Sequence, residues 1–379
     1  MILHIVPDDK FIDNAYKIFE QAYPNNNEFM IITKKNNLLY IKSTPITTVH
    51  PKRLFTKFFI ENLSSYEFIV LHTLSSAVEK LILHSDNNKF LWIGWGYDYY
   101  KYINKKILLD KTEQLNNKLE SKNIYQIKNI IQEIKYFFLY KILYRKKNNN
   151  IEKVFNKIQY FSPVLEEDYI LVKDSFNTFY PKYISWNYGS LEDSFTIEKY
   201  YELTGNNILL GNSASYENNH IEAIDLLLNL DIGKREVITP LSYGLEDYKN
   251  EILKYGESKL QNNFKPLVDF IDINKYNKII STCSIVIMNH LRQQAVGNII
   301  TMMYFGAKIF LHKDNPVYDF FKKNDAYIFN LDELNNCSIN KVLSIGEINT
   351  NRKILEKFWS KKIILEKTKY LIKTMNEVK

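Results

Sequence analysis

Short apolar runs alternate along the chain with stretches in which apolar residues recur at helical spacing. That pattern predicts strands buried on both faces of a parallel sheet, with helices between them. In the first half, strands are expected over 2–6, 28–33, 38–41, 67–71 and 89–93, and helices over 11–23, 53–63 and 75–84. Helical spacing continues from 101 to 158 through Lys- and Asn-rich sequence, with a low-complexity break at 148–150. Strands over 158–161 and 182–186 close a first domain, and the polar stretch 187–199 reads as a linker.

The second half repeats the alternation. A strand over 207–210 leads into Gly211-Asn212-Ser213-Ala214-Ser215 and a helix over 217–230. A strand over 236–241, broken by Pro240, is followed by Ser242-Tyr243-Gly244. Asp272 is placed to cap a helix that runs to Thr282. Residues 284–316 then read as strand (284–288), polar turn (289–293), helix (294–305), strand (307–311) and second polar turn, with Gly306 as the left-handed helix cap. The tail, 352–375, is helical and is expected to pack back across the first domain.

This order predicts an α/β protein of GT-B type: two Rossmann-like α/β/α domains facing a central cleft, with a C-terminal helix crossing back. The domains are expected at 1–190, with a basic helical insertion over about 103–158, and at 191–350, with 351–379 as the returning helix. Paired Rossmann-like proteins of other kinds, such as nucleotide-sugar epimerases, share the pattern.

In doubly wound sheets ligands sit beyond the carboxyl ends of the strands, so the polar strand-end loops carry the candidate chemistry. Arg292, Gln293, Gln294 and Gly297 lie where a helix N-terminus, its free amides and a cation would suit a diphosphate. Gly211, Asn212 and Ser213 form a second such loop, for phosphate or ribose, with neither a P-loop Lys nor a GxGxxG fingerprint. Tyr243 is either a base-stacking ring or a packed turn tyrosine. In the first half the strand ending at Ile93 enters Gly94-Trp95-Gly96-Tyr97-Asp98-Tyr99-Tyr100. There the aromatics form either a sugar-stacking wall holding Asp98 or a core corner with Asp98 as a helix cap.

The chain has 379 residues, 45% of them hydrophobic, enough for two cores. Two cysteines exclude a disulfide framework and a Cys-based metal site. Cys283, beside an apolar strand, reads as a core filler. No apolar run is long enough to span a bilayer, and the N-terminal sequence has no signal-peptide pattern, so a cytoplasmic protein is expected. The net charge of +7 is local. Residues 101–160 hold 14 Lys and Arg against 5 Asp and Glu, so the rest of the chain is slightly acidic. That argues for a local anionic partner and against a nucleic-acid groove. Tyr136, Phe137, Phe138, Lys141, Arg145, Lys146 and Lys147 put aromatics beside cations, as at an anionic membrane surface or on a helix with a solvated basic face.

Several ordered stretches together resemble glycosyltransferase family 56, the Fuc4NAc transferases of enterobacterial common antigen synthesis. They are Leu210-Gly211-Asn212-Ser213 with Asn218 and His220-Ile221, Pro240 with Tyr243, Arg292-Gln293-Gln294 with Gly297, and Asn315-Pro316. In the first half, Trp92, Trp95-Gly96, Asp98 and Tyr100 match, as do His4, His72 and Glu28-Phe29-Met30. The basic region from about 103 to 150 is longer than the family's, and residues between Gly211 and His220 differ. The resemblance implies a dTDP-activated 4-acetamido-4,6-dideoxy sugar as donor and an undecaprenyl-diphosphate-linked saccharide as acceptor. It also implies a place at the inner face of the bacterial inner membrane, with the basic aromatic segment facing the bilayer.

Glycosyl transfer builds negative charge on the leaving diphosphate. No Asp-x-Asp element ends a strand, so Arg292 and the amides of 294–297 are expected to stabilise it without a metal or other cofactor. Gly211, Asn212, Ser213, Asn218, His220, Tyr243 and Asn315 complete the expected donor site. Asp98, and after it His72, are the candidate bases for the acceptor hydroxyl. A front-face retaining route would need neither. A non-catalytic nucleotide-sugar-binding module is the alternative from outside enzymology.

Overall fold

The computed structural model describes residues 1–34, 37–85, 89–126, 151–193 and 202–378. The chain divides into two compact units. The first comprises Met1–Asn104, Ile130–Ser194 and Phe358–Lys379, the second Lys105–Asn129 and Phe195–Lys357. The segment Tyr136 to Lys147 lies outside the described residues.

The first unit contains β1 (Ile2–Val6), α1 (Ile12–Ala22), β2 (Asn27–Ile32), β3 (Ile46–Val49), α2 (Lys57–Leu63), β4 (Phe68–Leu71), α3 (Ser76–His84), β5 (Phe90–Ile93) and the short α4 (Tyr97–Tyr100). The chain then enters the second unit for α5 (Asp110–Gln126) and returns for β6 (Ile158–Ser162), α6 (Glu166–Asp174) and β7 (Lys182–Tyr183). The strands form one parallel sheet in the order β3-β2-β1-β4-β5-β6-β7. β1, β4 and β5 are buried throughout because helices cover both faces.

Residues 38–41, expected as a strand, form none. Their amides go elsewhere. Asp8 accepts from the backbone N–H groups of Leu39, Tyr40 and Ile41, and Asp13 from those of Lys42, Ser43 and Thr44. With the donors captured, the edge strand starts later, at Ile46.

The second unit continues with β8 (Asn207–Leu210), α7 (His220–Leu228), β9 (Val237–Pro240), α8 (Glu246–Leu260), β10 (Phe264–Leu267), α9 (Ile273–Ile280), β11 (Cys283–Met288), α10 (Val296–Phe305), β12 (Lys308–Leu311), α11 (Pro316–Lys323) and β13 (Phe329–Asn330). Its parallel sheet has the order β10-β9-β8-β11-β12-β13. β11 is entirely buried, and Cys283 within it is a thiol that burial pushes up to about 12, a core residue as the sequence suggested. Asp272 caps α9 by accepting from the N–H groups of Asn274 and Lys275. Gly306 ends α10 in the left-handed conformation at φ 99°.

The basic insertion departs from expectation. Its first part docks on the second unit, where Thr112 donates through its N–H and hydroxyl to Glu222 at 2.8 and 2.6 Å, and Lys111 pairs with Asp225. The tail is two helices, α12 (Ile345–Trp359) and α13 (Lys361–Asn376). α13 returns to the first unit, where Ile364, Leu371, Ile372 and Met375 join the core with Ile12, Ala15 and Phe19 of α1. Residues 187–193, expected in the linker, also belong to the first unit.

Candidate functional site

In the second sheet the strand order reverses between β8 and β11, and the loops beyond these two strands meet. Gly211 ends β8 at φ +66°, a conformation that glycine adopts without strain. A Cβ there would lie 2.6 Å from His220 Nε2 and 2.7 Å from Asn218 Oδ1. The loop therefore turns tightly over both side chains.

Asn218 is the hub. Its Oδ1 accepts from the Asn212 amide at 2.9 Å and from His290 Nε2 at 2.9 Å. Its Nδ2 donates to the carbonyls of Ser213 and Ser215 and to both hydroxyls. Asn212 Oδ1 accepts from Gln294 Nε2 at 3.0 Å and lies 3.2 Å from His290 Nε2, while Asn212 Nδ2 donates to the Tyr243 hydroxyl at 3.0 Å. His290 Nε2 thus faces two acceptors and carries the proton, which leaves Nδ1 as a bare lone pair. Asn219 and Asn289 exchange side-chain-to-backbone bonds across the same junction.

Burial keeps both histidines neutral. His220 is pushed down to about 3 by burial alone. His290 is pushed well below its ordinary value by burial, and further by Arg292 and His220. Among the described residues, His220 Nε2, His290 Nδ1, Gln294 Oε1 and Asn315 Nδ2 are buried polar atoms with no hydrogen-bond partner. Buried polar atoms in native proteins are rarely left so.

Arg292 is mostly buried and donates to Glu217 Oε1 at 3.2 Å and to the Gln293 carbonyl at 2.9 Å. The helix expected from 294 begins at Val296, because Ala295 turns left-handed at φ 58°. Gln293 and Gln294 therefore precede the helix, and Gln294 reaches back to Asn212 and Ser215. Gly297 lies in the first turn of α10, whose leading amides have no intrahelical acceptor. Asn315 is not hydrogen-bonded into this cluster. It caps α11, accepting from the Val317 amide at 2.9 Å. Tyr243 is tied by its hydroxyl and more than half exposed, as a stacking ring would be. Sequence reasoning missed His290, Asn219, Asn289 and Glu217 as site residues. The only signal was their place in strand-end loops, since their partners lie some 70 residues away in sequence.

In the first sheet the order reverses between β1 and β4. His72 follows β4 and is fully buried. A hydrogen-bond chain runs from Trp95 Nε1 to the Tyr188 hydroxyl (3.0 Å), to His72 Nδ1 (2.5 Å), from His72 Nε2 to His4 Nδ1 (3.0 Å) and from His4 Nε2 to Asn27 Oδ1 (3.3 Å). Asn27 Nδ2 in turn donates to Glu20 and to the Tyr23 carbonyl. Each link fixes the next. Asn27 Oδ1 only accepts, so His4 carries its proton on Nε2, His72 donates to His4 from Nε2, and His72 Nδ1 accepts from Tyr188. Burial pushes His4 down to about 3 against an opposing pull from Asn27, and pushes His72 well below its ordinary value, with His4 beside it adding to the shift.

For Asp98 the sequence leaves a base and a helix cap open. It is fully buried and accepts from the Leu74 amide (3.2 Å), Trp92 Nε1 (2.9 Å) and the Trp95 amide (2.8 Å). Burial raises its carboxyl above the usual range, against those three donors. It fastens the loop after β5 to the loop after β4. His72, with both nitrogens engaged inside the chain, is likewise sequestered. Asp9, just beyond β1 and half-buried, accepts from the Phe11 amide at 3.0 Å, and burial raises its carboxyl as well. No group of three or more His, Cys, Asp or Glu that could hold a metal occurs among the described residues.

The sequence model of 4-alpha-L-fucosyltransferases, glycosyl transferase group 56, matches residues 11–349. Solved structures agree on the fold. Sucrose-phosphate synthase of Thermosynechococcus elongatus superposes with a TM-score of 0.63 at 9% identity, over 99% of this chain and 98% of that one. Anabaena HepE in complex with UDP and glucose gives 0.62 at 12% identity, over 100% and 99%. A glycosyltransferase from Rickettsia africae gives 0.58 at 13%, also over 100% and 99%. The two doubly wound sheets are thus those of a GT-B protein, and the chain belongs to glycosyltransferase family 56, as a nucleotide-sugar-dependent glycosyltransferase.

Proposed function

We propose that the enzyme transfers a 4-acetamido-4,6-dideoxyhexose from a dTDP-sugar to a saccharide carried on undecaprenyl diphosphate. The observation that carries the reading is the polar cluster at the second switch point. There a glycine bend, the N-terminus of α10, Arg292 and partnerless buried polar atoms converge. HepE, of the same fold, has been captured with UDP and glucose, which supports a nucleotide-sugar as donor. The family resemblance supplies the identity of sugar and acceptor.

In this reading the diphosphate lies against the leading amides of α10, and Arg292 moves from Glu217 to the leaving group as the anomeric C–O bond breaks. Tyr243 stacks on the base. Gly211, Asn212 and Ser213 shape the turn, Asn218, His220, Gln293, Gln294 and Gly297 hold its frame, and Asn315 caps α11 beyond the next strand. Protein groups do this without a metal. On the acceptor side Asp9 takes the part expected of Asp98: it accepts the hydroxyl proton as the oxygen attacks, while Asp98, His72 and His4 hold the surrounding loops. The acceptor's polyprenyl chain is met at an anionic membrane surface, and Tyr136 to Lys147 contribute to that contact. No helix among the described residues is long and apolar enough to cross a membrane.

The test is release of nucleoside diphosphate from a panel of dTDP-, UDP- and GDP-sugars, with and without lipid-linked acceptor and with EDTA. Acceptor-dependent release from the dTDP-sugar, unaffected by EDTA, is expected. Conversion of the nucleotide-sugar without acceptor would show an epimerase instead. Binding without turnover would show a non-catalytic module.

A further inference from the structure

Residues 29–60 contain six Lys and Arg and no Asp or Glu. The structure hangs two pieces of it, residues 39–44 and 51–58, on the carboxyl edge of the first sheet. Asp8 and Asp13 hold residues 39–44 just beyond β1 by six backbone amides. A 3₁₀ turn, Pro51–Phe55, and the start of α2 lie beyond β3. The Thr33 amide donates to the Val49 carbonyl, so the ends of β2 and β3 stay together. Because β3, β2 and β1 are neighbours, both pieces occupy one edge.

Large apolar side chains point outward from this basic edge. Phe58 is 74% exposed, Leu39 62% and Tyr40 52%. Lys42, Lys52, Arg53 and Lys57 beside them are exposed as well. Two exposed apolar side chains of the second unit sit differently: Phe270 lies between Asp269 and Asp272, and Leu245 precedes Glu246 and Asp247. Apolar side chains among cations fit an anionic bilayer; the same side chains among carboxylates do not.

We infer that residues 39–58 form a docking surface for an anionic lipid bilayer, separate from the 136–147 segment. Leu39, Tyr40 and Phe58 enter the headgroup layer, and Lys42, Lys52, Arg53 and Lys57 face the lipid phosphates. Backbone bonds to two carboxylates, with the Thr44 hydroxyl on Asp13 as well, hold the loop in shape, and Lys57 pairs only across an exposed 3.7 Å contact with Glu61 that lipid phosphate can replace. The purpose, bringing the enzyme to a polyprenyl-borne acceptor, rests on the function proposed above; the binding itself does not.

The experiment is co-sedimentation of the full chain with phosphatidylglycerol-containing and phosphatidylcholine vesicles at low and high salt. Wild type is compared with Lys52→Glu/Arg53→Glu/Lys57→Glu and with Leu39→Ser/Phe58→Ser, all at exposed positions. Each cation near such a surface is worth about fivefold in affinity. The charge variant should therefore bind anionic vesicles at least about a hundredfold more weakly, and wild-type binding should fall with salt. The Leu39/Phe58 variant should lose the part that survives high salt. Wild-type-like pelleting of both variants overturns the inference, as does tighter binding of wild type to a single-stranded oligonucleotide than to anionic vesicles. Transfer to detergent-solubilised acceptor separates the two claims. If it proceeds while the variants pellet normally, only the docking surface fails; if it is absent while the charge variant loses vesicle binding, only the acceptor reading fails.

Discussion

Four fully buried histidines make the stability of this protein sensitive to mild acid. His4, His72, His220 and His290 are all buried and neutral, and His4 and His220 are pushed to about 3. In the unfolded chain each titrates near 6.5. Below that pH the unfolded state takes up protons that the native state refuses, so stability is full above about 6.5 and falls as pH drops towards 3. At pH 5 each such histidine costs about 2 kcal/mol, and His4 and His220 together about 4 kcal/mol. His72 and His290 shift the same way and add to the loss. A domain of ordinary stability has about 5–15 kcal/mol in all. Carboxylates stabilised by native hydrogen bonds, such as Asp13, lose their contribution only at lower pH, while Asp98 and Asp9, shifted upward, oppose the trend. Urea unfolding followed by tryptophan fluorescence between pH 7.5 and 5 measures the slope. His4→Gln and His220→Gln, compared with wild type, cancel the carboxylate terms and should each flatten the curve by about 2 kcal/mol over that range. A wild-type curve flat from pH 7 to 5, or variants with the wild-type slope, would refute the reasoning.

Three substitutions probe the sites themselves. Gly211→Ala forces a left-handed backbone, about 1–2 kcal/mol, and drives a methyl into His220 and Asn218. Calorimetry should show dTDP affinity lowered at least about tenfold, and normal affinity would contradict the tight-turn argument. Arg292→Ala should lower turnover roughly a hundredfold, whereas Glu217→Gln, which removes the ion pair to Arg292, should tighten dTDP binding at low salt; loosened binding would mean that Glu217 positions Arg292 rather than competing for it. Asp9→Asn should cut turnover with dTDP binding kept, and Asp98→Asn should chiefly lower the melting temperature. A stable, inactive Asp98→Asn beside an active Asp9→Asn would return the base to Asp98.

The buried strands were legible in the sequence because a parallel sheet covered on both faces demands unbroken apolar runs, as at Ile2–Val6, Asn207–Leu210 and Cys283–Met288. β10 was missed because Lys265 and Pro266 interrupt its run, which an edge strand tolerates. Residues 38–41 look like a strand locally, but two distant carboxylates take their amides, and no local pattern reports that. The site divides the same way. Gly211 and Arg292 stood out as residue types in strand-end loops. The Asn218–His290 pair and the His4–His72–Tyr188 chain depend on contacts made only when the sheets close. Asp98 shows the converse: an acid among aromatics left catalysis and capping open, and its burial among three donors shows only in the folded chain.

The central claim is that the donor's diphosphate binds at the switch point of the second unit. A crystal structure of the enzyme with dTDP measures this directly. The account predicts density between the Gly211–Ser213 turn and the start of α10, with Arg292 swung from Glu217 onto a phosphate oxygen and the base against Tyr243. Nucleotide bound only to residues before 194, or bound with the Arg292–Glu217 pair intact, would contradict it.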